Sequence, residues 1–557
     1  MTTQSSLSSY FKDSIFLVCI LGVLFGIYLG NRPFAAPDEG RYVEIPREMV
    51  VTGDYVTPRL NGLKYFEKPV LFYWMQAGMI HLFGMSEWAM RLLPVFFGIL
   101  GCVFVYVAAR HLFDRLTGWC SAVVLATSFL YFGLSRLIVL DMAVAVLLAA
   151  AMWLFIMGVQ APPGLGRRWY AWGLGAALGL ATLTKGLMSL CVFGGVSFIW
   201  VLGNNYWKRL LPLYWPSTLL IFLLITAPWH ILVSLKNPEF FDFYFIREHF
   251  ERYLTNVHHR TQPFWFFIPI LLVGFMPWTA FLWTGFKNMI SLGRSDRAKR
   301  GTASFLIIWV LFILFFFSFS DSKLITYIVP AFPPLAVIVG VVLSRAMRGE
   351  TSLLPGAIIY ASISSLVVIA YQFLHAKIPA DDFAALSSHI HVLLWTFVAG
   401  VFMPLLGWWK WKNKGILVAV LVITLTQLLV LTMGAKNATR VSAKKTAQAI
   451  LTHMPANTKV FLYRSYFQDL PVYLNRTVPL VESYGGELYF GASQEPHNKI
   501  ILKENNFWPI WHGGEPVCIV THKRRLAHLE EHKDFTPHTL VDNPDCYAFC
   551  NQPPAKE

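Results

Sequence analysis

Between Pro37 and Met75 the chain reads PDEGRYVEIPREMVVTGDYVTPRLNGLKYFEKPVLFYWM, crowded with acid, base and tyrosine between two apolar stretches. It begins with the carboxylate pair Asp38-Glu39 and closes with Lys64-Tyr65-Phe66-Glu67-Lys68-Pro69. Anchoring in lipid calls for neither sign of charge, and charges held against a bilayer cost free energy unless they are paired or bind something. The segment therefore reads as a catalytic loop. A carboxylate in an external cavity can act as a base or orient a substrate, and Asp38 is the candidate. The plainer reading of Asp38 is an acid at a helix N-terminus, stabilised by the dipole. Lys68 precedes a helix expected to start at Pro69, a place where phosphate binds readily. The plainer reading of Lys68 is a side chain snorkelling along apolar surface.

The elements that must hold these residues follow from spacing. Tyr42, Ile45 and Met49 share one face of a short helix opened by Pro37, which sets Asp38 one turn from Arg41 and Tyr42. Pro46 removes an interior hydrogen bond, so this helix is expected to break or to end early. Residues 69–84 are apolar but reach only about 24 Å at ~1.5 Å per residue, short for a crossing, and are expected to form a re-entrant or surface-lying helix.

Elsewhere the 557-residue chain is 56% hydrophobic and only 14% charged, with mean hydropathy +0.52. A soluble protein carries about a quarter charged residues. About thirteen spans are expected, at residues 13–30, 88–111, 117–134, 139–157, 169–184, 187–202, 210–235, 263–286, 303–319, 324–343, 354–374, 390–409 and 416–433. With residues 31–87 outside, the inner loops hold Arg110 and Arg115, Arg167-Arg168, Lys208-Arg209, Lys287 to Arg300, Arg345 and Arg348, and Lys410, Lys412 and Lys414. That asymmetry is the positive-inside pattern, and it accounts for much of the net charge of +15 without a nucleic-acid partner. The first span lacks a strongly basic front and a cleavage site and reads as a retained anchor.

The fold class is thus mainly α, a polytopic transmembrane helical protein with a C-terminal α/β domain. Residues 1–433 form the membrane domain with outer loops at 31–87 and 236–262, the second a candidate lid. Residues 434–557 alternate strand-like runs (459–463, 478–481, 516–520) with helix-like ones (442–452, 523–532). Cys19, Cys102, Cys120 and Cys191 read as small apolar residues. Cys518, Cys546 and Cys550 lie on the side expected to be oxidising, where one disulfide and a spare thiol are expected with the pairing open.

A single span, then an external Asp-Glu-x-Arg-Tyr at 38–42, then Tyr-Phe-Glu-Lys-Pro at 65–69 leading into an aromatic helix, resembles the polyprenyl-phosphate-dependent GT-C glycosyltransferases. Within that class the chain resembles the bacterial lipid A aminoarabinose transferases, relatives of the protein O-mannosyltransferases. The likeness covers the whole chain. It implies a GT-C fold with a periplasmic C-terminal domain, in the bacterial inner membrane with the active site on the periplasmic side. It implies transfer of 4-amino-4-deoxy-L-arabinose from undecaprenyl phosphate to a phosphate of lipid A, which lowers outer-membrane negative charge and gives polymyxin resistance.

Carried over residue by residue, the family's acidic pair falls on Asp38 and Glu39 and its phosphate-side lysine on Lys68. Arg41, Tyr42, Tyr65 and Glu67 fall in the same motifs as substrate-cavity residues. Two anionic lipids need fixed cations, so Arg252 is a further candidate, with Arg260 and Lys323 behind it. The sugar's amine favours carboxylates such as Glu39 or Asp141. Glu67 with His249, His258 and His259 is a candidate zinc set, but the spacing is no metal motif and surface histidines are favoured, so no cofactor is expected to be required. A monomer is expected. Two rivals remain. One is a related transferase acting on a protein or glycan hydroxyl, for which an Asp38 base would matter more. The other is a lipid-linked-sugar transporter, disfavoured by charges clustered outside and the absence of an internal repeat.

Overall fold

The computed structural model describes residues 2–554 apart from 211–212, 252–261, 378–379, 439–441, 484–485, 496–497, 533–534 and 544. Eight described helices are long and apolar enough to cross a membrane. A ninth counts if the helices Phe264–Gly274 and Trp278–Ser295, bent by 102°, form one broken span. The protein is a mainly helical, multi-pass membrane protein. Every segment expected to span contains helix among the described residues, yet not every helix meets the length and hydropathy of a span. Arg115–Ala126 and Met188–Asn204 are shorter apolar helices, and Phe129–Leu134 is split off from the former. The segments expected at 390–409 and 416–433 lie in one helical stretch broken by non-helical backbone at Trp411 and Lys412. Its arms meet at two glycines. A Cβ on Gly407 would stand 2.6 Å from the carbonyl oxygen of Gly415, so only glycine allows that approach.

The chain forms two compact units, the first comprising Met1–Leu29, Pro94–Ile231 and Phe241–Ala435 and the second Gly30–Leu93, Leu232–Phe240 and Lys436–Glu557. This division differs from a cut at 433/434, because the first outer loop groups with the C-terminal domain. Within the first unit, the Asp13 carboxylate inside the first apolar helix is paired, as its desolvation requires. Asp13 accepts from Arg115 Nη2 at 2.6 Å, from Arg110 Nη1 at 2.8 Å and from the Tyr106 hydroxyl at 2.5 Å.

In the second unit, the helix Asp38–Thr52 runs unbroken through Pro46. The expected break does not occur. Proline there costs one hydrogen bond, to the Tyr42 carbonyl, while the helix buries most residues from Glu39 to Met49, which outweighs that loss. The helix stops at Gly53, whose φ of 72° gives the left-handed cap and whose N–H reaches the Met49 carbonyl. A two-strand hairpin follows, β1 (Arg59–Leu60) and β2 (Leu63–Lys64), joined by Asn61-Gly62 with positive φ at both residues, the turn favoured by strand twist. Glu48 accepts the Gly62 N–H at 3.0 Å, and Asn61 exchanges hydrogen bonds of 2.8 Å with Val478 in both directions.

The C-terminal sheet comprises β3 (Lys459–Tyr463), β4 (Leu480–Val481), β5 (Ile501–Leu502), β6 (Val517–Thr521), β7 (His538–Val541) and β8 (Tyr547–Cys550). Their order is β5-β4-β3-β6-β8-β7, parallel from β5 to β6 and antiparallel beyond. Phe461, Tyr463, Val481, Phe507, Trp511, Val517, Ile519 and Leu529 form its core. Cys518 and Cys550 face each other across β6 and β8 and form the disulfide, leaving Cys546 as the buried free thiol.

Candidate functional site

The motif residues converge around Arg41, at the second turn of the helix Asp38–Thr52. One guanidinium nitrogen donates to Asp38 Oδ1 at 2.5 Å and the other to Glu487 Oε2 at 2.5 Å, the latter 446 residues away. Gln468 Nε2 holds the second Glu487 oxygen at 2.6 Å. Tyr42 meets Phe72 edge-on at 5.7 Å between ring centroids and stacks on Tyr73 at 6.0 Å. Phe66 packs edge-on against Phe240 at 5.2 Å, which fixes the segment leading from β2 to Glu67 and Lys68. Asp38 is open to solvent, with its side chain 54% exposed.

The helix reaches this position because residue 40 is glycine. A Cβ there would lie 2.6 Å from the backbone nitrogen of Asp469, so the segment carrying Tyr466 and Gln468 can pack directly on the helix. Gly491 serves the hairpin in the same way, since its Cβ would meet the Lys64 carbonyl at 2.5 Å.

Several polar atoms here are buried without a hydrogen-bond partner among the described residues: Arg41 Nε, the Tyr73 hydroxyl and the Tyr466 hydroxyl. Buried polar groups are normally satisfied, and a cluster that is not is suited to a polar ligand. Burial pushes the Tyr65, Tyr73 and Tyr466 hydroxyls well up, so all three stay protonated and can donate. Burial also raises the Glu487 carboxyl, with Arg41 and Gln468 pulling it part of the way back. Burial opposes the charge on Arg41, but the surrounding phenols and carboxyls, Tyr65 and Glu487 foremost, more than restore it. Glu67 acts electrostatically on Arg41, Tyr65, Tyr73 and Glu487. The cluster thus offers protonated phenols, a fixed guanidinium and several carboxyls.

Glu39 does not join it. Its carboxylate is fully buried, accepting from Arg32 Nη1 at 2.7 Å, Arg91 Nη2 at 2.8 Å and the Ala35 N–H at 2.9 Å. Burial raises this carboxyl, yet the Arg91 and Arg32 guanidiniums together hold it below the usual range. Glu39 is thus tied to two guanidiniums and a backbone N–H at the helix start and closed to solvent, unlike the open catalytic place expected for it. Lys68 is half-buried, and its Nζ donates to the Glu67 carbonyl at 2.6 Å. The helix expected from Pro69 begins at Leu71, with Val70 as its cap, so Lys68 stands further from the N-terminus than the sequence suggested.

Asp141 belongs to the other unit. It opens the helix Leu140–Gln160 and is ion-paired with Lys185, whose ammonium sits 4.5 Å from the Tyr327 ring centroid. Its carboxylate is already matched by a cation. Lys323 is buried with Nζ on the Ser320 carbonyl at 2.6 Å. Arg252, Arg260, His258, His259 and the side chain of His249 lie outside the described residues, as does much of the expected lid. Tyr73, Tyr466, Gln468 and Glu487 were not singled out in the sequence. Tyr73 stood within the aromatic run after Lys68, whereas the other three carry no local signal.

Residues 34–244 match the family described as dolichyl-phosphate-mannose-protein mannosyltransferase, and residues 446–546 match the aminoarabinose transferase C-terminal domain. A relative from Pectobacterium carotovorum subsp. carotovorum, named undecaprenyl phosphate-alpha-4-amino-4-deoxy-L-arabinose arabinosyl transferase, is 30% identical over 459 residues, 80% of this chain and 79% of the relative. The chain belongs to this arabinosyl transferase family. A relative of the same name from Erwinia tasmaniensis is 35% identical over 332 residues, and the chain spans 59% of its length. The crystal structure of ArnT from Cupriavidus metallidurans bound to undecaprenyl phosphate is 28% identical with a TM-score of 0.84, covering 97% of this chain and 98% of that one. The apo form of the same protein matches with a TM-score of 0.81 at 27% identity over 97% of each chain.

Proposed function

We propose that the protein transfers 4-amino-4-deoxy-L-arabinose from undecaprenyl phosphate to a phosphate of lipid A, at the periplasmic face of the bacterial inner membrane. The observation that carries this reading is the polar cluster around Arg41, built from the family's own motifs and left with unpartnered buried donors. Family membership supplies the donor lipid and the sugar. A cluster holding Asp38, Glu67 and Glu487 beside Arg41, with Lys68 next to Glu67 in the chain, suits a ligand that is anionic at its phosphate and cationic at its amine.

In the reaction, an acceptor phosphate oxygen attacks the anomeric carbon. The bond from that carbon to the undecaprenyl phosphate oxygen breaks, and the electron pair leaves with the phosphate. Lys68 stabilises the departing phosphate. An acceptor phosphate is already ionised near neutrality, so no strong base is required. Asp38, exposed and oriented by Arg41, steadies the positive charge that develops on the sugar. The tyrosine hydroxyls hold the sugar oxygens. The protein acts as a monomer and requires no metal.

The test is mass spectrometry of lipid A from cells that make the aminoarabinose donor but lack their own transferase. Aminoarabinose appears with the wild type and is lost with D38A and K68A at equal membrane levels. Unmodified lipid A with the wild type, together with sugar on an added peptide, would move the assignment to the protein-glycosylating relatives that residues 34–244 also match.

A further inference from the structure

We propose that Glu504, His528 and His532 of the C-terminal domain form a zinc site, separate from the cluster around Arg41. His528 and His532 are four residues apart, and the helix Leu526–Glu530 continues as a turn in which the His532 N–H donates to the Leu529 carbonyl at 3.2 Å. That spacing sets both imidazoles on one face. Glu504 opens the helix Glu504–Trp511 and meets them there. One ligand atom from each of the three residues lies within 4.8 Å of the others.

Hydrogen bonding among the three does not account for their convergence. His528 Nδ1 is 3.9 Å from Glu504 Oε1, and His532 Nε2 is 3.8 Å from Glu504 Oε2, both too long for a hydrogen bond. The spacing is instead close to that of donors around a four-coordinate zinc. Bonds of about 2.0–2.1 Å at tetrahedral angles separate donors by about 3.4 Å, so side-chain shifts of about an ångström close the set. Two imidazoles and a carboxylate favour zinc over magnesium or calcium, which take oxygen ligands. A water completes the fourth position.

The groups behind the ligands are in place as well. The Tyr463 hydroxyl donates to Glu504 Oε1, and Arg464 Nε donates to the same oxygen at 3.0 Å, which leaves Oε2 turned toward His532. Tyr463 also lies 3.0 Å from His528 Nδ1, and the His532 ring lies 4.2 Å from that of Trp508 between centroids, tilted by 39°. Such partners orient ligands and tune their basicity. Arg464 competes for Glu504, but Glu482 shares its charge. Leu529, between the histidines, and Phe507, in the Glu504 helix, both belong to the sheet core, so zinc here braces two crossovers over that core.

The test uses full-length protein purified in detergent, freed of its tag, stripped with chelator and titrated with zinc chloride alone. Wild type is expected to take up one zinc at this site, with affinity at least ~100-fold weaker in H528A/H532A and unchanged in H249A. Cobalt(II) is expected to give visible bands in the wild type that the double variant lacks. If the histidine variant melts below the metal-free wild type, E504Q, which keeps the Tyr463 and Arg464 contacts, serves in its place. Failure of the wild type to bind zinc stoichiometrically, or equal binding by H528A/H532A and E504Q, overturns the proposal.

Discussion

Replacing Glu39 by glutamine tests whether this carboxylate is an anchor or a reacting group. Its two oxygens accept from Arg32 at 2.7 and 2.9 Å and from Arg91 at 3.0 and 2.8 Å. The Arg91 side chain is 1% exposed and that of Glu39 is fully buried. Glutamine keeps the shape but leaves two guanidiniums in a dry site with no counter-charge. Removing one partner from a buried ion pair costs about 3–5 kcal/mol. In a unit of roughly 200 residues each kcal/mol moves the melting midpoint by about 2–4 °C, so E39Q is expected to melt about 6–20 °C below the wild type. Heating a membrane protein is often irreversible, so both proteins are scanned in detergent at one fixed rate.

A charge-free E39M/R32M/R91M variant should recover part of the loss, because the desolvation of all three ions disappears with them. The pH dependence has a definite sign. The Glu39 carboxyl is held below its usual range, so its contribution is complete above the ordinary carboxylate pKa. It fades as pH falls through the lowered folded value, and the gap between E39Q and wild type closes only in strong acid. An E39Q protein that melts with the wild type yet transfers no sugar would refute the anchor and return Glu39 to the reaction.

Other expectations follow from the same unit. Burial pushes the Asp469 carboxyl up to about 6, so between about pH 4 and 6 the folded state keeps a proton that the unfolded chain has lost. Stability should fall by about 3 kcal/mol as pH rises through that window, and D469N should flatten the dependence in denaturant titrations. Wild-type stability that rises across this window would contradict it. G40A forces a methyl against backbone 2.6 Å away, which no side-chain rotation relieves. A loss of about 1–3 kcal/mol or more is expected, with transfer activity falling in step, and wild-type melting would show that the two segments can separate freely. Cys518 and Cys550 close a loop of sequence separation 32, worth about 4 kcal/mol in the chain-entropy description. A C518S/C550S protein should melt as the reduced wild type does, and a reductant should leave it unchanged.

Much of this protein is legible locally. Hydropathy located the helical segments because a chain in lipid must satisfy its backbone within each segment, and helices do so wherever apolar residues run long enough. The Asn61-Gly62 turn and the end of the first outer helix at Gly53 follow from backbone conformations that few other residues adopt. The acids, Arg41, Tyr65 and Lys68 were visible as charges and phenols with no reason to be in a membrane anchor.

Other features depend on packing. Asp38 and Glu39 are neighbours of the same chemical type, yet one side chain is 54% exposed and the other 0%. One helical step turns a side chain by about 100°, and what lies on each side is set by Arg32, Arg91 and the C-terminal domain. Pro46 looked like a break and is carried by burial along the rest of its helix. Glu487, Gln468 and Tyr466 reach Arg41 from more than 400 residues away, through a sheet whose shortest strands are two residues long and carry no periodicity of their own. Residue type and spacing drew attention to the segment that holds the cluster around Arg41. Which carboxylate stands open to solvent and which is locked to arginine is decided by burial, because the cost of an uncompensated charge depends on its surroundings and not on its neighbours in sequence.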